Sequence, residues 1–362
     1  MTIRLMQGDL LKQDDVDAVV NTVNCVGVMG KGIALQFRNK WPANNKAYEA
    51  ACKAGEVKLG RMFVFDSGGL VKPNFIINFP TKNHWRGKSE FESVRDGLKD
   101  LVEQISRLHI KSIAIPPLGC GNGGLDWDEV RAEITGALEH LRDVDVRLFE
   151  PVGAPAAKAM EIRTDKPRMT AGRAAILKVL DTYRLLGYGL SKIEVQKLAY
   201  FLQEAGQELK MNFVPNEYGP YSDELRHVLN RMEGHYIRGV GDGVVDAEIE
   251  PMPDALSEAD DFLKCNDGDA LNQRVAKVEQ LIDGFQSPYG MELLSTVYWV
   301  AHNEPYAKSP TEALQAVRNW NERKRTLMQP AHVEIAWNRL VEEDWIHSAS
   351  SAVSLRNAAI NS

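Results

Sequence analysis

Lys82 is the residue whose type and position best fit a chemical role. It ends the sequence FIINFPTK, in which Phe75–Phe79 is a β-like run, so Lys82 is predicted to lie just past a strand end. Ligands of parallel sheets bind outside the carboxyl ends of the strands. A lysine amine becomes a nucleophile when desolvation or nearby positive charge lowers its pKa. Arg86 and Lys88 could supply that charge, and His84 could move protons. Most lysines are solvated surface groups, so the interpretation depends on the surrounding motifs.

Three polar or glycine-rich turns follow predicted strands in the first half of the chain, at Gln7–Leu11, Asn21–Phe37 and Pro116–Trp127. In the first, Asp9 either binds a ligand amino group or caps a neighbouring backbone. In the second, three glycines free the backbone where the helix Gly32–Lys40 begins, which creates an anion site. The third has four glycines in six residues and can wrap a phosphate with backbone donors. Two such loops at one edge of a sheet predict a diphosphate ligand.

Other chemistries fit these loops less well. The sequence GVMGKG around Lys31 does not match the Walker pattern GxxxxGK[ST]. Cys120 has no histidine partner within its motif, and a cysteine is commonly a small buried filler. The four cysteines include no CxxC pair and no cysteine–histidine cluster with zinc spacing. We therefore predict no metal, no disulfide framework and no cofactor.

The first half alternates short strands with helices, which predicts an α/β domain with a mixed, mostly parallel sheet and helices on both faces. Its strands are predicted at Ile3–Gln7, Ala18–Thr22, Arg61–Phe65, Phe75–Phe79, Ser112–Pro116 and Val146–Glu150. Its helices are predicted at Lys31–Lys40, Asn44–Lys53, Glu90–Leu108 and Asp128–Leu141. We place this domain at residues 1–152.

The second half is predicted to be a mainly α-helical domain at residues 170–362, after a linker at residues 153–169 that is rich in alanine and proline. An acidic stretch around Asp242–Asp269 is predicted to interrupt its helices. The helices are predicted at Ala174–Leu186, Lys192–Leu209, Asp223–Met232, Leu271–Phe285, Gly290–Asn303, Thr311–Arg323 and Val333–Glu343.

Charge is unevenly distributed along the chain. Residues 1–150 hold 20 basic and 20 acidic residues, so the entire net charge of −7 belongs to the remainder. Long-range attraction therefore cannot explain nucleic-acid binding by the whole chain, and the C-terminal half should repel DNA or attract a basic protein. No apolar run approaches the roughly 18 residues that cross a bilayer, and the N-terminus lacks a signal-peptide core. We expect a cytoplasmic protein without a membrane partner.

The order of the three turns resembles that of the macrodomain family, which binds ADP-ribose. The combination of NTVNCVGVMGKGIALQF, NFPTKNHWR and PPLGCGNGGLDW is similar to the DarG antitoxin branch, over nearly all of residues 1–150. That branch is similar to the macrodomains that remove terminal ADP-ribose with a lysine. The resemblance implies adenine on Asp9, the distal ribose near Asn24, and catalysis by Lys82. It implies the diphosphate on Gly30–Ala34 and Leu118–Gly124.

The substrate-binding residues that this resemblance and the motifs predict come from all of these turns. They are Gly8, Asp9, Leu10, Asn24, Gly30, Lys31, Gly32, Ile33, Ala34, Thr81, His84, Trp85, Leu118, Gly119, Cys120, Gly121, Asn122, Gly123 and Gly124. Trp85 could stack on a base, and Arg86 and Lys88 would equally serve a DNA phosphate. His84 either moves protons or orients its loop, and Asp126 is either a reactive carboxylate or a helix N-cap.

In the second half, Val195–Leu209 (VQKLAYFLQEAGQEL) and Asn216–Leu229 (NEYGPYSDELRHVL) resemble the Panacea-type antitoxin domain. The same residues also fit an ordinary helical core with a turn capped by Ser222. The resemblance implies neutralisation of a toxin by contact. The acidic surplus could then cover the DNA-binding surface of a basic toxin.

The two resemblances together imply a two-part antitoxin. Its macrodomain would hydrolyse ADP-ribose from modified DNA bases, with thymidine in single-stranded DNA as the expected substrate, and its helical domain would bind the cognate ADP-ribosyltransferase toxin. Two alternatives remain. The same site could act on protein-linked ADP-ribose or on ADP-ribose 1″-phosphate. The macrodomain could also be a non-catalytic ADP-ribose-binding module beside a toxin-binding domain.

Overall fold

The computed structural model describes residues 2–68, 71–151, 160–184, 190–240, 248–266, 268–303 and 306–346. The described residues up to Asp165 form one compact unit, and those from Lys166 onward form a second. Residue 152, residues 153–159 of the predicted linker, and residues 242–247 and 267 of the acidic stretch lie outside the described residues. Within the described part of the chain, no helix combines the length and the apolar character that a bilayer crossing requires.

The first unit contains a six-stranded sheet in the order β1-β6-β5-β2-β4-β3. Its strands are β1 (Thr2–Met6), β2 (Ala18–Asn24), β3 (Phe63–Asp66), β4 (Phe75–Lys82), β5 (Ser112–Ile115) and β6 (Asp145–Phe149). Its helices are α1 (Gly32–Lys40), α2 (Pro42–Lys53), α3 (Phe91–Arg107) and α4 (Trp127–Leu138), with a 3-10 turn at Leu10–Lys12. Only β3 runs antiparallel to its neighbour in this sheet. The predicted mixed, mostly parallel α/β architecture is confirmed.

Helices cover both faces of the sheet because successive side chains of a buried strand point to opposite sides. Val20 of β2 packs in one core with Leu98 of α3 and Ile134 of α4. Its neighbour Val19 packs in a second core with Phe37 of α1. The continuous apolar runs in the sequence therefore reflect burial on both faces.

Strand β4 runs three residues beyond the predicted end at Phe79 and includes Lys82 itself, which corrects its predicted place just past the strand. Pro80 is tolerated inside the strand because β3 pairs with β4 only as far as Asn78. Beyond that point one edge of β4 has no partner strand among the residues that the structure describes, and a proline is acceptable there.

The pairing of β2 with β4 shifts by one residue near the ends of the two strands. Val23 is opposite Pro80, but Asn24 is opposite Lys82, so that Thr81 is the extra residue. Such irregularities re-aim side chains at the ends of strands. Here the shift brings the Lys82 backbone beside Asn24.

The second unit is mainly helical, as predicted. Its helices are α5 (Ala171–Arg184), α6 (Lys192–Glu204), α7 (Asp223–Met232), α8 (Pro253–Lys264), α9 (Gly268–Ile282), α10 (Pro288–His302), α11 (Pro310–Trp320), α12 (Glu322–Leu327) and α13 (Pro330–Glu342). Two short antiparallel pairs join β7 (Val214–Asn216) to β8 (Gly219–Tyr221) and β9 (Ile237–Arg238) to β10 (Glu250–Pro251).

Two predicted helices of this unit were too long. Helix α6 ends at Glu204 rather than Leu209, because Gly206 has a φ of +93° that ends the helical conformation. The predicted helix Thr311–Arg323 is two helices. The side chain of Asn321 accepts a hydrogen bond from the Lys324 amide (2.7 Å) and caps α12.

The acidic stretch does not simply interrupt the helices, as we predicted, because it contains α8. Ala255, Ala259 and Leu263 recur along one side of α8 and are buried in the core of the unit. The acidic side chains between them mask this short apolar pattern in the sequence.

A buried polar cluster holds the β7–β8 hairpin. The amine of Lys197 on α6 is almost fully buried and donates to the Pro220 carbonyl (2.6 Å). The neighbouring Gln196 side chain exchanges two hydrogen bonds with the Ser222 backbone, each 2.9 Å. The Ser222 hydroxyl donates to Glu224 (2.6 Å) and makes no capping bond to α7, which corrects its predicted capping role.

Glu292 of α10 supplies the negative charge next to this hairpin. It is 1% exposed, and its Oε1 accepts hydrogen bonds from the Lys324 amine and from the Arg323 guanidinium, both at 2.6 Å. The Arg323 guanidinium also lies over the ring of Tyr218 in the hairpin turn (4.5 Å). Burial and the nearby Lys324 lower the pKa of Lys197 to about 7. Glu292 is thus a buried carboxylate shared by two cations, Arg323 and Lys324.

Candidate active site

Asn24, at the end of β2, organises the first glycine-rich loop. Its side chain is 4% exposed. Its Nδ2 donates to the Val28 carbonyl (2.6 Å), and its Oδ1 accepts from the Val26 amide (3.0 Å). The Tyr48 hydroxyl of α2 donates to the Asn24 carbonyl (2.5 Å). The loop is thus folded around the amide of Asn24, which holds the following glycines at the strand end.

Three buried asparagines fix the two strands beneath the site. The Asn21 amide of β2 donates to Asn78 Oδ1 on β4 (3.0 Å), and Asn78 Nδ2 donates to Asn44 Oδ1 on α2 (2.7 Å). All three side chains are fully buried. A buried amide is costly unless it is hydrogen-bonded, so this network favours one pairing of β2 with β4. Sequence reasoning missed it, because only the fold brings the three positions together.

The N-terminus of α1 lies against the late glycine-rich loop. Lys31 precedes the helix without a side-chain capping bond, so the first-turn amides are not satisfied by that side chain. Gly32 has a φ of +58°, and a Cβ built there would lie 2.9 Å from Asn122 Nδ2. The predicted anion-binding segment Gly30–Ala34 and the late loop therefore meet at Gly32 and Asn122.

The late loop, residues 118–124, is packed too tightly for side chains at two of its glycines. A Cβ at Gly123 would lie 2.3 Å from both the Gly119 carbonyl oxygen and Ser89 Oγ. Gly119 has a φ of +72°, and its Cβ would lie 2.8 Å from Leu125. The Ser89 amide donates to the Gly123 carbonyl (3.1 Å). Ser89, which we did not predict, thus supports the loop from beneath.

Lys82 connects the end of β4 to the late loop. Its amine donates to the Asn122 carbonyl (3.2 Å), and its backbone lies opposite Asn24. Partial burial lowers the pKa of the amine below its ordinary value. The structure therefore brings together Lys82, Asn24, Gly32 and Asn122 from three separate motifs. A partly desolvated amine beside two glycine-rich loops can react with the electrophilic carbon of a ligand that those loops hold.

The first turn is built as a rigid corner. Gly8 has a φ of +105°, and the Asp9 side chain accepts a hydrogen bond from the Leu11 amide (2.9 Å), with Leu10 buried. The buried amine of Lys40 donates to the Leu11 carbonyl and ties the corner to the end of α1. Asp9 is the cap of this turn, and adenine binding by its carboxylate stays a prediction.

The segment after Lys82 projects outward. Thr81 is buried, whereas His84 is exposed and Trp85 is 43% exposed. The Arg86 guanidinium lies 4.5 Å from the centre of the Trp85 ring, and the Arg86 amide donates to His84 Nδ1 (3.3 Å). His84 therefore orients this turn through its ring nitrogen.

Two other groups of the motif Pro116–Trp127, Cys120 and Asp126, have structural surroundings that do not favour a reactive role. Burial and the charge of Asp126 raise the pKa of the Cys120 thiol to about 11, so little thiolate exists at neutral pH. Asp126 Oδ1 accepts hydrogen bonds from the Asp128 amide (2.9 Å) and the Glu129 amide (3.1 Å). Asp126 is thus the N-cap of α4.

We expect Gly123→Ala to lower the melting temperature of the first unit by about 3–6 °C, because the new Cβ overpacks the loop against Ser89. Differential scanning fluorimetry of the full chain would measure this shift. Gly121→Ala is the matched control: a Cβ there meets no atom within 4 Å, and the melting temperature should change by about 1 °C at most. Equal shifts in both variants would contradict the tight packing at Gly123.

Comparison with known proteins gives the following matches. Residues 20–134 match the family model of the macro domain. A curated relative from Thermus aquaticus, named DNA ADP-ribosyl glycohydrolase, is 46% identical over 349 residues, which are 95% of this chain and 96% of the relative. A Thermosipho africanus protein, named DNA ADP-ribosyl transferase-DNA ADP-ribosyl glycohydrolase fusion protein, is 30% identical over 41% of this chain and 42% of its own length. The solved macrodomain of Mycobacterium tuberculosis DarG is 53% identical and covers 41% of this chain and 99% of that chain, with a TM-score of 0.40.

Proposed function

This chain belongs to the DNA ADP-ribosyl glycohydrolase family, and on that premise we propose that its first unit hydrolyses ADP-ribose from a base in single-stranded DNA, with Lys82 as the catalytic residue. The observation that carries the proposal is the position of Lys82, whose amine donates a hydrogen bond to the Asn122 carbonyl of the late loop and whose backbone lies opposite Asn24, at the start of the first glycine-rich loop. The macrodomain resemblance inferred from the three turns is confirmed by the family match.

The proposed ligand arrangement follows the shape of the loops. The diphosphate lies between the N-terminus of α1, at Gly30–Ala34, and the late loop, at Leu118–Gly124, where backbone N–H groups are the donors. Asp9 receives the adenine amino group, and the distal ribose lies near Asn24. This arrangement presents C1″ of the distal ribose to Lys82.

The reaction proceeds at C1″ of the distal ribose. In one form of the reaction, Lys82 is a nucleophile. The lone pair of its neutral amine attacks C1″, the bond from C1″ to the base breaks, and the base nitrogen takes up a proton. Water then displaces the lysine nitrogen from C1″, which gives free ADP-ribose and restores the amine. In the alternative form, Lys82 stabilises the ring-opened sugar, and the overall products are the same.

The proposal is tested by the release of ADP-ribose from an ADP-ribosylated single-stranded oligonucleotide. Parallel reactions contain the same modification in a duplex, ADP-ribose on a protein carboxylate, and ADP-ribose 1″-phosphate. Release from the single strand at the highest kcat/KM supports the proposal. Faster turnover of the protein-linked or of the 1″-phosphate substrate would mean that this substrate, and not DNA, is the one the enzyme acts on. Binding of ADP-ribose without any turnover would mean that the first unit is a non-catalytic binding module.

The rate of release should depend on pH in the direction set by Lys82. Only the neutral amine attacks C1″, so the single-turnover rate should rise about tenfold per pH unit below the lysine pKa and then level off. Because burial lowers that pKa, the plateau should begin at a lower pH than for a solvated lysine. Measurements from about pH 6 to about pH 10 cover this range. A rate that falls as pH rises would mean that the ammonium form is the active one.

We further propose that the second unit binds the cognate ADP-ribosyltransferase toxin, so that the chain acts as an antitoxin in two ways. Support comes from the relative whose name joins a DNA ADP-ribosyl transferase to a glycohydrolase in one chain. The whole net charge of −7 falls outside residues 1–150, which suits a basic partner. A full-length Lys82→Ala chain should still co-purify with the toxin and inhibit its transferase activity. If this variant does not bind the toxin, the chain would act as an antitoxin by hydrolysis alone.

A further inference from the structure

An exposed aromatic residue lies three positions after Lys82, on the segment 83–88. Trp85 is 43% exposed, although an indole is usually well buried. The Arg86 guanidinium lies 4.5 Å from the centre of its ring, and the His84 ring centre is 5.3 Å away. Three surface groups with planar π systems or delocalised charge thus lie next to one another, within four positions of Lys82 in the sequence.

Both ends of this segment are anchored to the late loop. At its start, the Lys82 amine donates to the Asn122 carbonyl (3.2 Å). At its end, the Ser89 amide donates to the next carbonyl along the chain, that of Gly123 (3.1 Å). In addition, the Asn83 carbonyl accepts from the Cys25 amide of the first glycine-rich loop (3.1 Å). Trp85 is therefore carried by a short turn whose ends are held against the two loops of the site.

The charge around Trp85 identifies the kind of partner. Arg86 and Lys88 are exposed, and no acidic residue occurs between Lys82 and Ser89. A flat aromatic face next to cations is the combination that binds single-stranded nucleic acid: bases stack on the ring and phosphates pair with the cations. In a duplex the bases are already stacked on one another, so an indole cannot reach a base face without unpairing.

We propose that Trp85 and Arg86 form a subsite for the nucleotide adjacent to the modified one, with the base of that nucleotide on the indole and its phosphate on Arg86. The subsite deepens the proposed function and rests on it for the identity of the substrate. Through this subsite the enzyme recognises a short stretch of single-stranded DNA, whereas Lys82 and the glycine-rich loops contact only the ADP-ribose.

The first test compares two substrates that differ only in the neighbouring nucleotide. One is the ADP-ribosylated single-stranded oligonucleotide, and the other is the ADP-ribosylated nucleoside obtained by digesting that oligonucleotide with an endonuclease and alkaline phosphatase. Trp85→Ala should lower kcat/KM on the oligonucleotide about tenfold and leave the nucleoside unchanged. Trp85→Phe should recover most of the loss, and Tyr306→Ala, which removes an exposed aromatic residue in the second unit, should change neither. An equal loss on both substrates, or no loss on either, overturns the subsite.

The second test does not depend on turnover. Wild-type protein and Trp85→Ala are titrated with an unmodified, fluorescently labelled single-stranded oligonucleotide in the presence of saturating ADP-ribose, and anisotropy reports binding. The wild type should bind more tightly than the variant by about tenfold, and binding should weaken as salt rises. Trp85-dependent binding without hydrolysis would support the subsite and refute the proposed function. Equal affinity of the wild type and Trp85→Ala for the single strand, or equal affinity of the wild type for single strand and duplex, would refute the subsite without contradicting the proposed hydrolase activity.

Discussion

Lys82→Ala should reduce the release of ADP-ribose by about 1,000-fold or more, because it removes the amine that we propose attacks C1″ and leaves the two glycine-rich loops in place. The affinity for free ADP-ribose should stay within about threefold of wild type, since the diphosphate contacts that we propose come from backbone donors of the loops. Isothermal titration measures the affinity, and release from the oligonucleotide measures turnover.

Two controls make this result specific to the amine. Lys82→Arg keeps a positive charge near the Asn122 carbonyl but provides no nucleophile, so it should be as inactive as the alanine variant. Lys58→Ala removes an exposed lysine elsewhere in the unit and should leave both quantities unchanged. Substantial activity in Lys82→Arg would show that charge, rather than the amine lone pair, accelerates the reaction.

Glu292→Ala should lower the free energy of unfolding of the second unit by about 3–5 kcal/mol, because it leaves the buried amine of Lys324 and the nearby Arg323 without their carboxylate. Urea unfolding followed by tryptophan fluorescence measures the loss. Saturating ADP-ribose should shift the transition of the first unit alone, which identifies the other transition as that of the second.

Glu334→Ala is the matched control for that variant. Glu334 is an exposed glutamate on α13, and its removal should change the free energy of unfolding by about 0.5 kcal/mol at most. If Glu292→Ala were as mild as Glu334→Ala, the two cations would have to find other partners or lose their protons at little cost. The hairpin that resembles the Panacea motif would then not depend on the buried carboxylate.

Most of the first unit was predictable because its signals are local. Buried strands appear as short apolar runs and helices as periodic stripes, and the glycine-rich turns fall between them. The order of the strands in the sheet was not predictable, because strands far apart in sequence pair there. The strand Phe75–Phe79 was predicted too short since Pro80 signals a strand end, although an edge without a partner strand tolerates it.

The supporting residues of the candidate site were not predictable for a different reason. Ser89 and Asn44 act through neighbours that are distant in sequence, Gly123 and Asn78, and a residue type does not reveal its spatial partner. The helix α8 was missed because its buried positions are mostly alanines among acidic residues, and alanine adds little to an apolar pattern. The roles of Lys82 and of the predicted binding residues stay predictions that the variants above can test.

Because of the one-residue shift between β2 and β4, the position of Lys82 depends on the number of residues in β4 as well as on their side chains. Asn21 and Asn78 lie opposite each other in the core, but Asn24 follows three residues later and Lys82 follows four residues later. Deleting Thr81 would remove the extra residue and leave the asparagine network able to hold the same register. The lysine would then come one position earlier along its strand, at the place that the buried Thr81 now holds. A chain that kept Lys82 and both glycine-rich loops would then have the lysine backbone displaced along β4 from its present place near the Asn122 carbonyl.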